Sequence, residues 1–399
     1  LLTKNVPDDS TAATISGLET IAVTISGDST VEQINKVASK TSGLVTATTE
    51  AAAIGTYVDA TTGASKITET GNALLIKVSG NFKASEFITL DGVTTGVVEA
   101  TATPPTITGT LAELKTIYAT SQDTTGVTAG PNTFKGIGSA AITLTDTGTI
   151  SAADLAVVDA GTDAEITIPT TVARVQGTFA EVDAAIAMEA ANGVVDNNIT
   201  DRAADLPNYD SVAITITDPV TVAEANKIIL AMTKGAVTAT ISDGDIATLL
   251  TTVNNTTLSG LNEVTAGGAN EAGHILSVTV TDTTLTAANL KELDTRTAGT
   301  ITVNSTTLTG DFTAPTDLDD VFASSGISGL SSINVTSTAA ASVAQVNNIT
   351  GKTTGVVTAT VNQKEIADLK GLTDSGNALT VVVDTASVNA ADLNVLDSK

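Results

Sequence analysis

No cysteine occurs in the 399 residues, which excludes disulfides, thiolate nucleophiles and cysteine-bearing zinc sites together. Tryptophan is also missing, and three tyrosines and six phenylalanines bring the aromatic content to only 2%. Sugar-binding clefts stack aromatic rings on their ligand, so neither a lectin groove nor a paired-carboxylate glycosidase cleft is expected. Basic residues are scarce: 18 Lys and Arg stand against 44 Asp and Glu, a formal net charge of −26. Phosphate binding depends on clustered Lys and Arg, so nucleic acid and anionic membrane surfaces are set aside as partners. No run of about 18 apolar residues offers a membrane span, and Leu1 to Ser10 lacks the charged start and apolar block of a signal peptide. Cys-free, acidic, Thr-rich composition suits an extracellular repeat protein, although the absence of cysteine suits the cytosol equally.

What the chain does contain is threonine, 75 residues of it, and repetition. Seven times a β-like run is followed by the same helix-start signature. A cap residue, usually small and polar, precedes by three an acid or amide, and apolar side chains follow at the fourth and seventh positions. The copies are Thr30/Gln33 with Ile34 and Val37, Lys83/Glu86 with Phe87 and Leu90, Ser151/Asp154 with Leu155 and Val158, and Thr221/Glu224 with Ala225 and Ile228. Then come Thr286/Asn289 with Leu290 and Leu293, Ser342/Gln345 with Val346 and Ile349, and Asn389/Asp392 with Leu393 and Leu396. A cap oxygen accepts from the first-turn N–H groups and the third residue reaches back, so each pattern predicts a helix of about two turns. Helices that short do not persist alone and must pack on something.

The strands that precede these helices are expected at 21–25, 74–78, 141–145, 212–216, 276–280, 333–337 and 379–383. Several alternate, placing Leu276, Val278 and Val280 on one face and Ser277, Thr279 and Thr281 on the other. After each helix a turn, commonly at Gly43, Gly96, Gly235, Gly299 or Gly355, leads to a second strand at 44–48, 97–101, 236–240, 300–303 or 356–360, with 165–168 in the same place. Further helix starts follow at Thr110/Glu113, Thr178/Glu181, Ser242/Asp245 and Asn362/Glu365. The unit is therefore β-α, about 24 residues long, enough for a helical crossover between parallel strands.

The fold class expected is an α/β repeat: a solenoid of strand–short-helix coils with parallel strands, the alternative being a string of small α/β modules of about 50 to 70 residues. One tandem array spans 1–399, with subunits at 21–73, 74–139, 140–211, 212–274, 275–331, 332–378 and 379–399, the last truncated. The closing Leu396-Asp397-Ser398-Lys399 halts where another copy continues through Thr350-Gly351-Lys352-Thr353-Thr354-Gly355, so a piece of a longer protein is expected.

Candidate chemistry is thin. His274 has no second histidine or cysteine for a metal and no motif announcing a nucleophile, and reads as a turn residue. Asp317, Asp319 and Asp320, Asp243 and Asp245, and Asp159 and Asp163 around Gly161 offer carboxylates to Ca²⁺, but none matches the twelve-residue calcium loop. Most read as helix-start acids favoured by the dipole. Structural Ca²⁺ is left open with no site assigned, no cofactor is expected, and catalytic residues are none. Thr-x-Thr pairs at 46/48, 143/145, 215/217, 238/240, 279/281 and 358/360 are similar to the ice-binding face of antifreeze β-solenoids. Strands such as Leu74-Leu-Ile-Lys-Val78 interrupt them, so β-propensity on an exposed face is the better reading. Gly136-Ile-Gly138 and Gly267-Gly268 read as turn glycines, with no Lys-Ser/Thr after them to hold phosphate.

The phrases Ser151-Ala-Ala-Asp-Leu-Ala-Val-Val-Asp159, Asn389-Ala-Ala-Asp-Leu-Asn-Val-Leu-Asp397 and Thr353-Thr-Gly-Val-Val-Thr-Ala-Thr360 resemble the tandem repeats of very large surface and secreted proteins of marine cyanobacteria, including those of swimming motility and surface layers. That resemblance implies a structural, non-enzymatic segment, extracellular or at the cell surface. It would self-associate with identical copies into a layer, filament or matrix, and contact cell-surface glycan or envelope. The alternative is an adhesin or phage-fibre binding module gripping a ligand with the long loops at 121–139 and 192–211.

Overall fold

A computed structural model describes residues 17, 19–102, 104–120, 133–187, 212–231, 235–250, 252–253, 258–259, 273–312, 318–385 and 387–399. The fold is α/β, with several parallel sheets and twelve α-helices among the described residues. Two compact units divide the chain, Leu1–Val212 and Ala213–Lys399.

In the first unit one ladder runs Val23–Ser29, Val45–Thr49, Ala73–Ser79, Val98–Ala100, Phe134–Lys135, every pairing parallel. A second runs Phe82–Lys83, Thr106–Gly109, Ala141–Leu144, Ile166–Thr167, also parallel, and Gly148–Ser151 pairs Val172–Gly177. The second unit repeats the plan. One ladder is Ala213–Ile216, Val237–Ile241, Ile275–Val280, Ile301–Val303, Ile327–Ser328. The other is Thr284–Thr286, Thr307–Gly310, Asn334–Ser337, Val357–Thr360, Ala378–Thr380. Val23 lies opposite Val45, Ile76 opposite Val98, Val278 opposite Ile301 and Val335 opposite Val357, a step of about 22 residues that leaves room for one short helix. The ladders cross the sequence boundaries at 73/74, 139/140, 331/332 and 378/379.

The alternating strands behave as their sequences require. Leu276, Val278 and Val280 are buried, Ser277 is half-buried and Thr279 is exposed. Short strands such as Phe82–Lys83, Thr284–Thr286 and Thr307–Gly310 add an element the one-strand-per-helix pattern does not contain. Each turns one apolar residue inward, Phe82, Leu285 and Leu308. The chain thus bends between two sheets before entering its helix.

Helices at Val31–Ala38, Leu111–Tyr118 and Val343–Thr350 open with complete capping boxes on Thr30, Thr110 and Ser342. Ser151, Thr286 and Asn389 accept from the N–H of Asp154, Asn289 and Asp392. Thr178 and Thr221 accept likewise from Glu181 and Glu224. Three expected starts differ. Lys83 has no acceptor to offer, and only the returning bond from its N–H to Glu86 forms. The starts at Ser242 and Asn362 move three residues on, to Ile246–Leu250 and Ile366–Leu369. In both cases the residue after the expected cap is taken by the preceding helix: Asp243 accepts from Val222 N–H and Gln363 from Val343 N–H.

The repeated apolar pairs form the layer between helix and strands. Phe87, Leu90, Leu114, Ile117, Leu155, Val158, Ala225, Ile228, Leu290, Leu293, Val346 and Ile349 are all buried, each worth about 1.5–3 kcal/mol for a large side chain. The scarce aromatics gather: Phe82 stacks on Phe87 with centroids 4.3 Å apart, and Phe87 on Phe134 at 5.1 Å. Tyr118 is buried and donates its hydroxyl to Ile137 O at 3.1 Å.

The turn glycines are required by crowding. A Cβ at Gly43, Gly96, Gly299 or Gly355 would fall 2.4, 2.2, 2.3 or 2.2 Å from the carbonyl oxygen of Ile21, Leu74, Leu276 or Ile333 in the neighbouring repeat. Gly96→Ala is therefore expected to destabilise the chain by about 2 kcal/mol or more. Gly55→Ala, where nothing lies within 4 Å, should be close to neutral; chemical denaturation followed by circular dichroism compares the two.

Candidate functional site

The polar chemistry of this protein lies in the seams where one repeat meets the next. Parallel pairing leaves the backbone at the helix-to-strand turn facing its neighbour, and buried N–H and C=O groups there must be paired. A threonine two residues before the turn glycine does this. Thr94 Oγ1 accepts from Leu74 N–H (2.8 Å) and Gly96 N–H (2.9 Å), and donates to Leu74 O (2.9 Å). Thr297 repeats the set on Leu276 N–H, Gly299 N–H and Leu276 O at 2.9, 2.9 and 2.8 Å. Thr353 bridges Gly355 N–H to Ile333 O, Thr162 bridges Ala164 N–H to Ala140 O, and Thr41 bridges Gly43 N–H to Ile21 O. Composition does not mark these five among 75 threonines. Their signal is a constant place, two residues ahead of a small residue that opens a strand.

A second polar position sits just before the strands. Asn72 Oδ1 accepts from Val45 N–H and Asn377 Oδ1 from Val357 N–H, each at 2.9 Å. His274 holds the same place, Nδ1 accepting from Val237 N–H at 3.1 Å. It is 2% exposed, so it is a buried ladder acceptor rather than simply a turn residue. With Nδ1 committed as acceptor the ring is neutral and its proton sits on Nε2, which is buried without a partner among the described residues. Burial pushes its pKa below the usual histidine value.

The helix faces carry the third set of contacts. At five helices the fifth residue from the start reaches the following repeat. Lys115, Lys291 and Lys370 there form ion pairs with Asp154, Asp320 and Asp392, each acid being third in the next helix. Asn35 and Asn347 in that position instead grip backbone. Asn35 donates to Lys66 O and accepts from Thr68 N–H; Asn347 does the same with Gly371 O and Thr373 N–H. First-turn N–H groups are also taken from across the seam, by Asp146 for Leu111, Asp243 for Val222 and Asp282 for Ile246.

Such engagements occupy four of the acids considered for Ca²⁺. Asp243 and Asp245 accept from the helix N–H groups of Val222 and Ala247, Asp319 accepts from Asn348 Nδ2 and Asp320 pairs Lys291. Asp163 N–H donates to Gly138 O. Asp317 and Gly267-Gly268 lie outside the described residues, as do 121–132 and 192–211 of the two long loops. Gly136 takes a positive φ of 78°, where a Cβ would meet Ala100 O. Among the described residues no three His, Cys, Asp or Glu side chains gather to hold a metal ion. Among the described residues, Asp91 is the acid that burial raises above the usual range, with Thr133 opposing. Outward threonines align in short runs: Thr286, Thr309, Thr336 and Thr358 lie opposite one another in turn before Ala378 ends the row, and Thr24 and Thr46 are followed by Ala73. No helix among the described residues is long and apolar enough to cross a membrane.

No family model, no curated protein and no solved structure matches the chain.

Removing one bridging hydroxyl leaves two strand N–H groups unpaired, so Thr297→Val should lower stability by about 1–3 kcal/mol, while Thr297→Ser retains most of it; urea melts measure the difference. His274 makes stability depend on pH with a defined sign. Below the ordinary value of 6.5 the unfolded chain binds a proton that the folded chain resists, so stability falls as pH drops from neutral toward the depressed folded value. Above neutrality this contribution is flat. His274→Asn keeps the acceptor for Val237 and should abolish that histidine-linked slope between about pH 7 and 5, as read from melting temperature against pH.

Proposed function

We propose that this chain is a structural segment of an extracellular or cell-surface repeat protein, a spacer or lattice element that works by its length and by association with identical copies. In this reading the ladders continue one another as a solenoid of strand–turn–strand–helix coils, rather than as a string of independent modules. The observation that carries it is the recurrence of the same kinds of contact at several steps: threonine bridges, crowded turn glycines, acceptors just before strands and fifth-position Lys or Asn residues. Each helix has about two turns and no stability of its own, so the repeats hold only as a stack. Such arrays supply extended surface and nearest-neighbour stability.

The catalytic reading has less support. His274 spends its accepting nitrogen on a backbone N–H, and the acids of the repeats serve as caps and ion-pair partners. An excess of negative charge suits solubility in a crowded surface assembly. Electron micrographs of the purified protein are expected to show filaments or sheets. A field of discrete, unassociated particles at every protein and salt concentration would instead favour the adhesin or fibre module.

A further inference from the structure

Three strands of the array are entered through one kind of four-residue phrase: Gly71-Asn72-Ala73-Leu74, Gly273-His274-Ile275-Leu276 and Gly376-Asn377-Ala378-Leu379. The register is common to all three, since Ala73, Ile275 and Ala378 lie opposite Thr46, Thr238 and Thr358. In each phrase the second residue closes the end of the ladder by accepting from the strand before, at the N–H of Val45, Val237 or Val357. An asparagine amide offers its oxygen at every pH, whereas an imidazole accepts only while one ring nitrogen is unprotonated. His274 is the only histidine in the chain. One of three like joints is therefore made by a group that can lose its acceptor.

The surroundings offer a charged ring no alternative. His274 is buried, and its backbone oxygen is held from the other side by Ala298 N–H at 2.9 Å and Thr297 Oγ1 at 3.4 Å. The strands Val237–Ile241 and Ile275–Val280 and the helix Ile246–Leu250 contain no titratable side chain. On the helix Ala287–Arg296 the charged groups are engaged elsewhere: Arg296 pairs with Glu292, Lys291 pairs with Asp320, and Asp294 accepts from Ser324. On the helix Val222–Ala231, Glu224 accepts from Thr221 N–H and Lys227 is exposed. Among the described residues no carboxylate is set against the ring, and burial is what holds its pKa down. A proton on Nδ1 would turn the acceptor into a second donor facing Val237 N–H, and would leave a buried charge without a counter-ion. Both costs fall on the pairing between 237–241 and 275–280.

We propose that His274 is an acid-labile latch: its protonation releases the seam between Val237–Ile241 and Ile275–Val280, while the asparagine-closed seams at Val45 and Val357 stay shut. The chain then has one joint that answers to acidity beside two of the same build that do not. Opening is local, because Thr297 still ties Leu276 to the following repeat and each repeat is held by its own neighbours. The latch goes beyond the structural reading above and holds equally for a spacer or a binding module.

Hydrogen exchange of the full chain, followed by mass spectrometry between about pH 7.5 and 5 and corrected for intrinsic rates, tests this. The open seam takes up a proton that the closed seam resists. Protection over 237–241 should therefore fall about tenfold per pH unit below the ordinary histidine value of 6.5, until the lowered folded value is reached. Protection over 45–49 and 357–360 should stay level. In His274→Asn the slope over 237–241 should vanish. Should that variant fail to fold, the unaltered chain decides alone, because its sole imidazole gives ring nitrogen NMR signals that need no assignment. These should show the proton on Nε2 at about pH 7, and protonation of Nδ1 in step with the loss of protection. Equal loss at all three seams, a slope that survives His274→Asn, or a ring that becomes charged while 237–241 stays protected would each overturn the latch.

Discussion

The strands of the long ladders are joined edge to edge in parallel, and at Gly43, Gly96, Gly299 and Gly355 the turn that delivers a new strand is pressed against the carbonyl of the one before. That crowding is the constraint from which the rest of the structure follows. At Gly96 and Gly355 even a methyl group would sit within 2.2 Å of a neighbouring oxygen. A backbone buried so closely cannot turn to water for its hydrogen bonds. The threonine two residues earlier supplies one hydroxyl that both donates and accepts, satisfying the turn and tying it to the next strand. Threonine is suited to the task because its branched carbon also favours extended structure.

With that seam in place, short helices become affordable elements of a larger layer. A two-turn helix gains its stability from the strands beneath and from the helix beside it. The first-turn N–H groups of Leu111, Val222 and Ile246 are closed by carboxylates of the neighbouring repeat. Acidic residues are consequently spread along the array at cap and seam positions, which helps explain an acidic chain that gathers no metal-holding cluster among its described residues. Stability then has one origin, the contact between like units.

Much of the architecture was legible because its determinants are local. Alternation places Leu276, Val278 and Val280 inward, and Thr30, Thr110 and Ser342 cap their helices with the amide or acid three residues on. These depend on spacings of two, three or four residues. The displaced starts at Ser242 and Asn362 were not legible, since Asp243 and Gln363 are drawn to helices about twenty residues earlier in the chain. His274 shows the same limit. Its role as a substitute for Asn72 and Asn377 depends on a backbone N–H at Val237, thirty-seven positions away.

The amino-acid order by itself determined the repeat, the alternation of strand and short helix, the exclusion of disulfide and cysteine–zinc chemistry, and the glycines that open the second strands. Tertiary structure alone decided that more than one ladder runs through each unit, which five threonines become bridges, and why those glycines tolerate no side chain. The division has a physical cause. Periodicity and capping are settled within one turn or one strand, whereas a hydroxyl, an imidazole or a carboxylate acquires its partner only when a segment some twenty or more residues away is laid beside it.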